Sequence, residues 1–176
     1  MGRWTMLACA SHGSAMAEAY LALGANLGHP QHQLSEARQR LADAGLHITG
    51  ASSLYRTPPF GIVEQPAFFN QCLHIETTLS PHALLDLCLG IERQMGRERT
   101  VRWGPRAIDI DLLDYDHVVI SDERLTLPHP GLMQRAFVLV PLVEIAPELA
   151  IGGARLSDCL AILDQAGIER VGSSSL

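Results

Sequence analysis

The chain has 176 residues, of which 47% are hydrophobic and 18% charged, and its formal net charge is −6. That length suits one domain with a real core, and that balance belongs to a folded globular chain and not to a disordered one. An acidic chain argues against generic nucleic-acid binding, and no apolar run approaches the roughly 20 residues of a membrane span, so neither partner is expected.

All 13 basic residues are arginine. A P-loop needs a lysine to reach the terminal phosphates, so no Walker-type site is available, and any phosphate chemistry must rest on guanidinium forks, metal and backbone amides. Cys9, Cys72, Cys88 and Cys159 show no CxxC spacing. Neither a zinc site nor a disulfide framework is expected, and reduced thiols point to the cytoplasm.

Residues 1–17 read as a disordered extension, because the apolar stretch near Leu7 is too short and too interrupted for an export signal. Residues 18–168 read as a single domain and 169–176 as a flexible tail. Glu18 to Gly24 is a short apolar run ending in glycine, a buried strand. Pro30 opens a helix with Leu34, Ala37, Leu41 and Ala44 at helical spacing, closed by Gly45. His47 to Tyr55 is a strand that runs into the proline-stiffened loop Arg56-Thr-Pro-Pro-Phe-Gly61. Phe69 to Leu79 alternates cleanly, with Leu73, Ile75, Thr77 and Leu79 on one face and Asn70, Cys72, His74 and Glu76 on the other.

Ser80-Pro81 is an N-cap with a first-turn proline, and it starts a helix whose stripe is Leu84, Leu85, Cys88 and Ile91. An arginine-rich loop, 97–106, follows, then a strand from Ala107 to Tyr115. Val118 to Ile120 and Leu125 to Leu127 suggest a small hairpin, and a further helix is expected from Ser157 to Ala166. The order strand, helix, strand, strand, helix, strand predicts an α+β fold with a ferredoxin-like βαββαβ core, extended by additional helices and the hairpin.

The most informative stretch is Arg97-Glu-Arg-Thr-Val-Arg-Trp-Gly-Pro-Arg106, followed by Asp109-Ile-Asp111. On a strand, residues i and i+2 share a face, with Cα atoms roughly 6.5 Å apart. Asp109 and Asp111 therefore project together, while Ile108, Ile110 and Leu112 pack on the core. Two unpaired carboxylates make poor core residues but good oxygen ligands for Mg²⁺, which completes its shell with phosphate and water. Arginines beside such a site suit a nucleotide triphosphate. An exposed aspartate pair bridged to arginine is the blander reading, and the adjacency to Arg102-Trp-Gly-Pro-Arg106 outweighs it.

Pro128-His129-Pro130 presents a histidine in a fixed direction, as a neutral hydrogen-bond partner, a phosphate contact when protonated or a satisfied turn histidine, the last being the reading that the motif alone favours; Arg135 and Phe137 lie just downstream. Thr57-Pro-Pro-Phe60, Gln65-Pro and Phe68-Phe-Asn70 offer flat faces and an amide, which suits a planar heterocycle edged with amide and amino groups. Read blandly, Phe68 and Phe69 are core.

Together these blocks resemble the hydroxymethyldihydropterin pyrophosphokinase family, from Ala19-Tyr-Leu-Ala-Leu-Gly-Ala-Asn-Leu-Gly28 to Pro141-Leu-Val-Glu-Ile-Ala-Pro147, which is most of the chain. The resemblance implies transfer of the diphosphate of ATP, as co-substrate, to 6-hydroxymethyl-7,8-dihydropterin, with release of AMP, in folate biosynthesis. It implies that Asp109 and Asp111 hold two Mg²⁺ ions, and that Arg97 and Arg106 stabilise charge on the transferring group. Glu92, Arg99, Arg102, Leu112, His129 and Arg135 would contact ATP. Thr57, Pro58, Pro59, Phe60, Phe68, Asn70, Trp103 and Phe137 would form the pterin pocket, with the two phenylalanines at 68 and 137 sandwiching the ring. A monomer acting on small molecules is expected. Two other classes compete. An RNA-binding module of the same topology needs aromatic residues where the strands carry Asp109, Asp111 and Asn70. Another metal-dependent phosphate enzyme has no use for the pterin blocks.

Overall fold

The computed structural model describes residues 16–59, 64–96 and 106–172. In chain order its elements are β1 (Ala17–Ala25), α1 (Pro30–Asp43), β2 (His47–Ala51), β3 (Leu54–Thr57), β4 (Phe68–Thr77), α2 (Pro81–Gln94) and β5 (Asp109–Tyr115). There follow β6 (Ile120–Ser121), β7 (Thr126–Leu127), a 3-10 turn (Leu132–Gln134), α3 (Ala136–Ile145), β8 (Ala150–Ile151), β9 (Ala154–Arg155), α4 (Leu156–Ala161) and β10 (Glu169–Gly172).

The main sheet runs β10-β3-β4-β1-β5, with β2 also paired to β4, and all of its pairings are antiparallel. Each of the two helices α1 and α2 links one strand to the next but one in space, which is the ferredoxin-like arrangement expected from the element order. Period-two alternation sorts the central strands cleanly. Ala19, Leu21, Leu23, Leu73, Ile75, Ile110 and Leu112 face α1 and α2 in a core that also holds Leu34, Leu41, Leu84 and Cys88. The other face carries Tyr20, Cys72 and Leu113 against α3 and α4, through Leu132, Val138, Leu139, Leu142 and Leu156.

Helix signals work locally as expected. Ser80 Oγ accepts from the Ala83 amide, and a proline opens both α1 and α2.

Several boundaries differ from the sequence reading. The strand expected over 47–55 is broken at Ser52-Ser53, where Ser52 Oγ accepts from the Cys72 amide at 2.9 Å and takes a place in the ladder. The last helix stops at Ala161 instead of Ala166, since Asp164 Oδ1 accepts from the Ala166 amide and turns the chain. The hairpin forms as two-residue strands, with Ile120 opposite Leu127.

Both domain limits also move outward. Ala17, assigned to the extension, is 6% exposed and pairs with Thr77 in β1. Residues 169–172, assigned to the tail, form β10 along the edge of β3, whose backbone would otherwise lack a partner on that side. No helix among the described residues is long and apolar enough to cross a membrane.

Candidate active site

A cleft of about 320 Å³ opens on the second sheet face beside α3, which contributes Phe137 and Val138 to its lining. Its floor is made of small residues on β1. Gly24 pairs with Asn70 on one side and with Asp109 on the other, and Ala22 pairs with Cys72 and Asp111. The floor is tight at Gly24, where an added Cβ would stand 3.0 Å from Asn70 Oδ1. Floor, walls and charged rim all come from short segments anchored on the sheet.

At the rim, β5 presents the two aspartates as the DxD spacing predicts. Ile108, Ile110 and Leu112 are 0%, 3% and 3% exposed beneath it. The Asp109 and Asp111 side chains retain 16% and 36% exposure and line the cleft. The Arg106 guanidinium is in direct contact with the Asp109 carboxylate. Asp111 Oδ2 lies 4.0 Å from both His129 Nε2 and Arg135 Nη1.

His129 Nδ1 accepts from the Gly131 amide at 3.1 Å. The ring proton of the neutral tautomer is thereby assigned to Nε2, the nitrogen aimed at the carboxylate. Burial first, then the Arg135 cation, lower the His129 pKa below its usual value, with Asp109 opposing. A neutral imidazole presenting one N–H is the form favoured here at neutral pH.

The apolar half of the cleft is lined by Thr57, Pro58 and Phe68 on one side and by Phe137 and Val138 of α3 on the other. Asn70, 8% exposed, donates through Nδ2 to Thr57 Oγ1 at 2.8 Å, which fixes the orientation of its amide. The structure therefore brings together Thr57, Pro58, Phe68, Asn70, Arg106, Asp109, Asp111, His129, Arg135 and Phe137 from the sequence-derived set. Pro59 is half-buried outside the lining. Phe60, Arg97, Arg99, Arg102 and Trp103 lie outside the described residues.

Two candidates, Leu112 and Glu92, have side chains engaged outside the cleft lining. The Leu112 side chain points into the core beneath β5, because its alternation opposes that of Asp111. Glu92 is 2% exposed on α2, and its Oε1 accepts from the Ile110 amide at 2.7 Å. That bond holds the backbone between the two aspartates.

Sequence reasoning assigned no role to Asn26, which is 3% exposed and ties three segments together. Its Nδ2 donates to Gln65 Oε1 and to the Pro66 carbonyl at 3.1 Å each, and its Oδ1 accepts from the Arg106 amide at 2.8 Å. Its own amide donates to the Arg106 carbonyl at 3.1 Å. A buried asparagine just past an apolar strand was the available signal, since such a group must be hydrogen-bonded.

The donor set suits Mg²⁺. Two half-buried carboxylates share one face, and among the described residues no group of three His, Cys, Asp or Glu side chains is placed to hold a metal by itself. Mg²⁺ binds through one or two carboxylates and completes its octahedron with phosphate oxygens and water. Thiolate-seeking or imidazole-seeking ions would find no such site among these residues.

Comparison with known proteins identifies the family. The family model for 7,8-dihydro-6-hydroxymethylpterin-pyrophosphokinase (HPPK) matches residues 20–147. The chain is 52% identical over 157 residues to the 2-amino-4-hydroxy-6-hydroxymethyldihydropteridine pyrophosphokinase of Methylorubrum extorquens, covering 89% of this chain and 99% of that one. It is 42% identical over 142 residues to the protein of the same name from Haemophilus influenzae, covering 80% and 89%. Among solved structures, a crystal structure of HPPK-DHPS in complex with substrates superposes with a TM-score of 0.69 at 16% identity, over 83% of this chain. This chain spans 43% of that longer one, and the likeness speaks for the fold alone. The chain belongs to the 7,8-dihydro-6-hydroxymethylpterin-pyrophosphokinase family, whose members transfer a diphosphate from ATP to the pterin in folate biosynthesis.

Proposed function

We propose that this chain performs that transfer in its sheet-face cleft, as a cytoplasmic monomer, with Asp109 and Asp111 holding the Mg²⁺ ions of the bound ATP. Bound there, Mg²⁺ would neutralise phosphate charge and favour attack at the β-phosphorus. The pterin ring lies in the slot between Phe68 and Phe137, with the Asn70 amide and Thr57 reading its polar edge. Its hydroxymethyl oxygen attacks the β-phosphorus. A new O–P bond forms as the bond between the β-phosphorus and the bridging oxygen to the α-phosphorus breaks. AMP leaves, and the hydroxyl proton passes to solvent.

Arg106, Arg135 and the Nε2–H of His129 supply donors to the phosphate oxygens, so transfer is promoted by alignment and charge neutralisation. By family resemblance Arg97, Arg99, Arg102 and Trp103 complete the nucleotide and pterin contacts, with Phe60 at the slot. Besides the ATP contact that the resemblance implies, Glu92 steadies β5, since its Oε1 accepts from the Ile110 amide.

The observation that supports this reading most is one cleft lined by paired aspartates, two arginines and an apolar slot ending in an oriented amide. Incubation with ATP, Mg²⁺ and 6-hydroxymethyl-7,8-dihydropterin is expected to yield AMP, and only when the pterin is present. Formation of ADP, or nucleotide hydrolysis without the pterin, would overturn it.

A further inference from the structure

The strand β10 lies beyond residue 147, where the family match ends, and none of its residues lines the cleft. It nevertheless meets the cleft wall from behind. Glu169 pairs with Arg56, Arg170 with Tyr55 and Gly172 with Leu54, which covers the outer edge of β3. That strand is four residues long and ends at Thr57, so the cleft wall at Thr57 and Pro58 extends from a short element that β4 holds on one side and β10 on the other.

A second contact acts on Pro58 itself. Gly167 has φ +76, a left-handed conformation that a side chain disfavours, and a Cβ added there would stand 3.3 Å from both Cγ and Cδ of Pro58. The bare α-carbon thus backs the proline ring directly.

A polar knot joins this wall to the opposite one. Glu144 of α3 accepts from the Ser53 amide at 3.0 Å, from Ser53 Oγ at 2.7 Å and from the Tyr55 hydroxyl at 2.9 Å. Arg170 of β10 donates through Nε to Ser53 Oγ at 2.7 Å and stands 3.4 Å from Glu144 Oε1. Glu144 follows Phe137 by seven residues, two helical turns on the same face of α3. The knot therefore connects the helix that carries Phe137 to the strand that carries Thr57.

We infer that the segment Gly167–Val171 is a positioning brace, which fixes the Thr57-Pro58 wall against the Phe137 wall and so sets the width of the pterin slot. This rests on the reading of that slot given above. A merely structural strand would weaken the whole cleft, nucleotide end included. A brace acts on one end, because Asp109, Asp111 and His129 stand on β5 and its neighbours, at the far edge of the sheet.

The test uses full-length Gly167→Val and Arg170→Ala, each compared with the unaltered chain. A non-hydrolysable ATP analogue is titrated first, and then 6-hydroxymethylpterin with that analogue bound. The expected result is a pterin Kd raised roughly 3–10-fold and a nucleotide Kd within about twofold, since small misplacements of a binding wall are costly. Hydrogen exchange at Leu54 to Thr57 should quicken in both variants. Pterin affinity unaltered in both variants, or equal losses for both ligands, overturns the brace. If the unaltered chain binds no pterin, the reading of the slot is what fails. Exchange alone then decides the brace, and unaltered protection at Leu54 to Thr57 overturns it. Arg170→Ala keeps the inference testable should Gly167→Val fail to fold.

Discussion

The two faces of the central sheet are built from the same strands and spend their residues differently. Toward α1 and α2, β1, β4 and β5 offer Leu21, Leu23, Leu73, Ile75, Ile110 and Leu112, all buried and apolar. Toward the cleft the alternate positions offer Ala22, Gly24, Asn70, Asp109 and Asp111. One-residue alternation thus separates stability from chemistry within single strands. The dry face can tolerate no polar group without a partner. The other can hold carboxylates because α3 covers only part of it.

Substitutions on the two faces should therefore fail in opposite ways. The largest effect is expected for Asp109→Ala or Asp111→Ala, where turnover should fall at least about a hundredfold through loss of metal-assisted charge stabilisation. Thermal unfolding should shift by no more than about 2 °C, because these carboxylates serve no packing role. Turnover near that of the unaltered chain would break the contrast. Leu21→Ala, at a fully buried position, should do the reverse. It should cost about 2–5 kcal/mol of stability, read by denaturant unfolding, while kcat per folded molecule in the cold stays within about twofold.

Gly131→Ala sharpens the contrast within the cleft. Gly131 has φ −93, which any residue adopts, yet an added Cβ would stand 2.6 Å from Arg135 Nε and 2.7 Å from Cζ. The flexible guanidinium should move aside and leave the fold intact. A roughly tenfold loss of turnover is expected, and it should vanish when Arg135→Ala is already present. Additive losses would show that Gly131 acts by another route.

The smallest effect concerns Asp114, a carboxyl 1% exposed on β5 that accepts from the His117 amide at 3.2 Å. Desolvation by burial raises its pKa from 3.8, against the hydrogen bond and charge of His117, with Asp116 adding to the rise. A raised carboxyl pKa means that ionising it disfavours the folded state, a cost that grows as pH climbs through the folded pKa. Asp114→Asn should raise the unfolding midpoint at pH 7, and the gain should disappear below about pH 3.8, where both states are protonated. A gain that persists in acid would point to packing.

Much of this contrast was legible in the sequence. Alternation in Asp109-Ile-Asp111 fixed which face would be chemical, and Ser80-Pro81 marked the start of α2 correctly. What escaped depends on groups far apart in the chain. β10 looks like a polar tail until β3 is seen to need an edge partner. Nothing in the sequence ties Glu92 to β5, yet its carboxylate accepts from the Ile110 amide, 18 residues away. Asn26 and Gly131 matter through Gln65, Arg106 and Arg135, contacts that periodicity cannot encode.

The central claim is that Asp109 and Asp111 together hold the divalent ions of the nucleotide. Its most direct test is Mn²⁺ titration, followed by electron paramagnetic resonance, with a non-hydrolysable ATP analogue bound. The account predicts that protein-dependent ion binding is lost in the double variant Asp109→Asn, Asp111→Asn while the fold, read by circular dichroism, is retained. Undiminished ion binding in that variant would contradict it.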